Sequence, residues 1–125
     1  MATSRSALRD LSIALDAPRR TTSQAALGTW RWTVRQRMGS VRDLLVSEST
    51  QHQDTWLAAR GGLMLRERNA LMGRLSDLGP RVLEHPDVEV VRVELKRLLA
   101  DVAHHVQRLH DLAYDEVEME LGGSE

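Results

Sequence analysis

The chain has 125 residues, the size of one ordinary domain and long enough to bury a single core without disulfides or metal. It contains no cysteine, which excludes disulfides, thiol catalysis and thiolate metal sites together. The formal net charge is −1, yet residues 1–43 carry eight arginines against three aspartates and residues 44–125 carry nine basic against fifteen acidic side chains; such a split suits helices that attract one another within a bundle, or a basic arm that meets a partner.

Sixteen of the seventeen basic residues are arginine, which by itself says little about anion binding. No apolar run approaches the roughly eighteen residues of a membrane span and no signal-peptide core is visible, so no membrane role is expected and the cytoplasm is the default compartment. Proline occurs only at 18, 80 and 86, phenylalanine is absent, and leucine, alanine, arginine and glutamate dominate. This is an all-helical inventory.

In chain order, Ser4 to Asp16 is a short amphipathic segment with Leu8, Leu11 and Leu15 at steps of three and four, ended by the Pro-Arg-Arg-Thr-Thr-Ser linker. A first long helix should run from Ser23, its N-cap, to about Ser49, with Leu27, Trp30, Val34, Met38, Val41 and Leu45 on one face. A second should follow the polar "STQHQD" stretch, with Asp54 as N-cap, and stop near Leu78, where Gly79 and Pro80 follow. After the short loop "GPRVLEHP", a third should start at Pro86 or Asp87 and reach about Leu121, roughly 50 Å at 1.5 Å per residue, before "GGSE" frays. The stretches "DVEVVRVE" and "VEME" also fit strands, but a lone strand would have nothing to pair with, so helix is the reading.

The second and third helices both carry heptad spacing, Leu57, Gly61, Met64, Arg68, Leu71, Leu75, Leu78 and Val91, Leu95, Leu98, Val102, His105, Leu109, Leu112, Glu116. Short loops between long helices make neighbours antiparallel. The expected fold is all-α, an antiparallel up-down-up bundle of three long helices (residues 23–121) with a short N-terminal helix and linker (1–22) and a frayed tail (122–125), resembling a four-helix bundle in outline.

Histidines and carboxylates crowd the stretch "ADVAHHVQRLHDLAYDEVEME". On a helical wheel His105 falls inward while His104 and His110 fall on opposite flanks, so the three do not converge on one ion. Asp101 and His104 form one Asp-x-x-His half-motif, with His105 adjacent, and Glu48 and His52 form a second pair at the turn between the first two long helices. The two sets sit on different levels of the bundle. The reading is therefore no metal and no cofactor, with a metal-holding bundle built on these five residues as the alternative. His105 reads as a hydrogen-bonded core residue, and Asp111, Asp115, Glu118 and His104 as a solvated face. No stretch matches a catalytic signature, so no enzymatic activity is expected.

Arg68 falls in the apolar stripe of the second helix, where an unpaired charge would cost several kcal/mol. A turn centred in "GPRVLEHP" sets Arg68 opposite Asp101, Met64 opposite His105 and Gly61 beside Leu109, and an Arg68–Asp101 pair is expected to fix that register.

The first long helix is apolar on two sides. Besides its core face, Ala25, Trp32, Gly39 and Val46 recur every seven residues on the other side, a large apolar surface to leave in water. Two covers are open to it: residues 4–16 folded back, or a second copy or partner helix. The functional expectation is a helical interaction module working through Trp32, Gly39 and Val46, with Arg31, Arg35 and Arg42 beside them favouring an acidic partner. The same arginines and tryptophans in "WRWTVRQRMGSVR" give the second alternative, nucleic-acid binding, against which stands the lack of a recognition motif in a slightly acidic chain.

Overall fold

The computed structural model describes residues 2–17, 23–51 and 61–123, with side chains described for 6–17, 23–47 and 62–111. These residues form four helices, α1 (Ala2–Asp16), α2 (Gln24–Gln51), α3 (Gly61–Glu84) and α4 (Val88–Gly123). Each packs against the next in sequence, running antiparallel to it, and α1 also reaches α4, so the four close into a bundle. Among the described residues no helix is long and apolar enough to cross a membrane.

The leucine spacing of α1 puts Leu11 and Leu15 wholly in the core with Ala14 beside them. They meet Trp30 and Val34 of α2, on the face that also carries Met38, Val41 and Leu45. The Trp30 indole Nε1–H donates to the Ala14 carbonyl oxygen at 3.0 Å, so the ring is buried and its one polar atom is satisfied by the last turn of α1. Asp16 of α1 pairs with Lys96 of α4 at 2.5 Å. Thus α1 adds to the main core. It does not cover the second stripe of α2, one of the two covers open from the sequence, because the Trp30 side offers it both a deep apolar contact and a hydrogen bond.

Ser23 caps α2 as expected, its Oγ accepting from the Ala26 N–H at 3.1 Å. Asp87 does the same for α4, with Oδ1 accepting from the Glu89 and Val90 N–H groups at 3.1 and 3.3 Å. That cap, together with burial of Val91, Leu95 and Leu98, holds the β-branched "DVEVVRVE" in helix, and no described residue forms a strand. The expected Asp54 cap lies outside the described residues.

The expected end of the second long helix at Leu78 is corrected by the structure, since α3 continues through Gly79 and Pro80 to Glu84. Proline inside a helix removes one backbone bond, here to the Ser76 carbonyl, and costs about 3 kcal/mol. Three things offset it: Leu78 and Val82 are buried, the His85 N–H donates to the Arg81 carbonyl at 2.9 Å, and Arg31 of α2 grips the helix end. The turn therefore sits at residues 85–87, and the α3–α4 register moves by about one helical turn from the sequence expectation. Met64 packs with Leu109, where Gly61 was expected, and Arg81 of α3 pairs with Glu94 of α4.

Candidate functional site

The shifted register builds a polar ladder along the α3–α4 seam. His105, 0% exposed, has Nδ1 at 2.6 Å from Glu67 Oε1, and the same carboxylate also accepts from Arg108. Burial pushes the His105 pKa below its ordinary 6.5, and the Glu67 bond resists without reversing it. The ring is thus neutral at pH 7 and Nδ1–H is the donor. Burial alone would raise the Glu67 pKa, but the bonds from Arg108 and His105 outweigh it and hold the carboxyl below its ordinary 4.5. The expected core histidine is therefore present; its partner was not foreseen.

Arg68 and Asp101 are not brought together. Asp101 pairs with Arg74 at 2.7 Å, both about half exposed, while Arg68 Nη2 donates to Asn69 Oδ1 at 2.9 Å on its own helix. The reason is the register: with the turn at 85–87, the level of Asp101 falls to Arg74, and Arg68 lies near His105. The Arg68 Nε remains buried without a hydrogen bond.

A cleft of about 290 Å³ opens over this ladder, lined by Glu67, Leu71, Arg74, Asp101, His104 and Arg108. Its charges neutralise one another in pairs, as those of an interhelical clasp do. The metal candidates are not assembled there. Asp101 faces Arg74, His105 faces Glu67, and His104 is exposed. Among the described residues no three His, Asp or Glu side chains form a group able to hold a metal ion. The Glu48 side chain and His52 lie outside the described residues.

On α2 the arginine stripe divides. Arg31 donates from Nη1 to the Val82 carbonyl at 2.8 Å and from Nη2 to the His85 carbonyl at 2.7 Å, closing the C-terminal end of α3 where the helix dipole is negative. Arg35 lies against Gly79, whose missing Cβ would stand 3.2 Å from Arg35 Nε. Arg42 is exposed. Arg31 thus serves the α2–α3 contact, which removes it from any phosphate-tracking stripe, while Arg35 borders that contact and stays exposed.

The second stripe of α2 is open. Trp32 is 63% and Val46 43% exposed, Ala25 is exposed, and no atom stands within 4 Å of where a Cβ on Gly28 or Gly39 would be. Trp30, two residues away, is 7% exposed, so the contrast is one of face. Leu83 and Leu65 of α3, about five turns apart on one side, are exposed too. The Arg31–Val82 and Arg35–Gly79 contacts set Trp32 level with Leu83 and Val46 near the level of Leu65. Sequence reasoning missed the two leucines, since only the α2–α3 register reveals them. It also missed Arg92, 3% exposed, which pairs with Glu89 and stacks 5.4 Å from the centroid of the Trp30 ring.

Fold and surface together define an α-helical bundle that leaves several large apolar side chains exposed, Trp32 and Val46 of α2 among them. No protein-family model, curated protein or solved structure matches the chain.

Proposed function

We propose that the chain is a non-enzymatic interaction module that docks a helix, its own or a partner's, on the α2 flank through Trp32, Gly39 and Val46, with Leu83 and Leu65 alongside and Arg35 and Arg42 on its edge. The observation that carries this reading is Trp32, a large apolar ring left in water while α1 packs elsewhere. Exposed tryptophans of this kind are the anchors that bury most area per residue on association. Gly39 supports it, because glycine within a helix costs about 1 kcal/mol relative to alanine and repays that cost where another backbone approaches closely.

The test pairs two substitutions. Trp32→Ala should change the association state, read as mass in solution, and leave the melting of the isolated chain unaltered. Gly39→Ala puts its Cβ into open space in the lone chain and should raise the melting temperature while weakening association. A chain whose association is indifferent to both would overturn the reading.

A further inference from the structure

Resting on that reading, we infer that the occupant of the α2 flank is the acidic C-terminal part of α4 from a second copy of this chain, exchanged reciprocally between two copies. Charge complementarity argues for it. Arg35 and Arg42 line one edge of the Trp32 stripe, and the first 43 residues have a surplus of positive charge. An occupant should bring carboxylates along a helix to that edge.

Residues 111–123 have that chemistry in sequence, with Asp111, Asp115 and Glu118 at steps of four and three, further acids at 116 and 120, and Leu112, Tyr114, Val117, Met119 and Leu121 between them. They belong to a helix that continues to Gly123, well past Leu109, the last residue of α4 in the described core. At 1.5 Å per residue this extension is about 20 Å long, and Trp32 to Val46 spans about the same length. The tail of the same chain does not qualify, because its α4 packs on the core side of α2 and the stripe faces away from that core.

Charge also speaks against the simplest alternative. An antiparallel two-fold pairing of α2 with itself sets the Arg35 and Arg42 edge of one copy beside the same edge of the other, a like-charge contact. Exchange of tails instead brings opposite charges together twice and closes as a dimer.

The experiment is a charge swap read by mass in solution across concentration and salt. The parent should reach twice the monomer mass and dissociate as salt rises. Arg42→Glu alone and Asp115→Arg/Glu118→Arg alone should each weaken association by about tenfold or more, and an equimolar mixture of the two should restore it. A peptide of residues 109–123 should dissolve the parent dimer, which keeps the test valid even if the doubly substituted chain folds poorly. A parent that stays monomeric at about 1 mM overturns the exchange yet leaves the docking reading for another partner. A dimer lost with Trp32→Ala but unmoved by the charge swap and the peptide means the flank is an interface with a different occupant. A dimer indifferent to Trp32→Ala refutes the reading and the exchange together.

Discussion

Arg31 and Val82 belong to different helices, and the guanidinium of the first holds the carbonyl of the second at 2.8 Å. With the parallel bond to His85, this fork satisfies the Val82 carbonyl, whose helical donor position is taken by Pro86, and the His85 carbonyl just past the end of α3. Arg31→Ala should lower stability by about 1.5–3 kcal/mol, the range for hydrogen bonds from a charged donor. Lysine should recover little of it, since a single ammonium does not span both acceptors. Chemical denaturation of the three proteins measures this; equal midpoints for Arg31→Lys and the parent would contradict the fork.

Gly79 and Arg35 should be coupled. A methyl at 79 would gain roughly 1 kcal/mol of helix propensity but meet Arg35 Nε at 3.2 Å, so Gly79→Ala alone should change stability little in either direction. In an Arg35→Ala background the same substitution should become stabilising. The double-mutant cycle reads the coupling directly, and additive effects would show that the guanidinium moves aside freely.

The bundle should begin to lose stability as pH falls below 6.5. His105 has a folded pKa below its unfolded value of 6.5, so the unfolded chain takes up the proton first and stability falls as pH drops below that value. Glu67, held below its unfolded value of 4.5, contributes stability that is present above 4.5 and is lost as pH falls through the folded pKa. The two losses have the same sign and follow one another. Melting temperatures measured from pH 7.5 to pH 4 should decline in that order, and His105→Gln should remove the upper part of the decline while keeping the lower.

Asp101→Ala and Glu67→Ala should differ sharply. Asp101 and Arg74 are about half exposed, and such a pair is worth about 1 kcal/mol or less. Removing Glu67 strips a buried imidazole of its acceptor and should cost about 1–3 kcal/mol. Thermal unfolding that ranked the two in the opposite order would place the register pin at Asp101 after all.

Much of this architecture is legible in the residues themselves, because helix periodicity and caps are local signals. Ser23 and Asp87 announce their helices within three residues, and the steps of three and four assign Leu11, Val34, Leu95 and His105 to the core. The extent of α3 is not local. Pro80 argues for a stop, and it is overruled by contacts from Arg31 that are some fifty residues away in the chain. That single displacement carries the polar partners with it, which is why Glu67 rather than Met64 meets His105, and Arg74 rather than Arg68 meets Asp101. The exposed stripe on α2 follows from its seven-residue recurrence, whereas the level of the exposed α3 leucines relative to it is set only by the α2–α3 register.

The order of the helices around the bundle has a kinetic consequence. Neighbours in space are mostly neighbours in sequence, so most native pairings close short stretches of chain, the topology that folds in microseconds to milliseconds. The Asp16–Lys96 pair is an exception, joining the first helix to the last and requiring α2 and α3 to be laid down between them. Contacts that form only after the rest of the chain has condensed contribute to the barrier against escape and little to the barrier against entry. The docking of α1 on α4 is therefore expected to act as a latch: loosening it should speed the loss of the native bundle and leave the rate of its assembly almost unchanged.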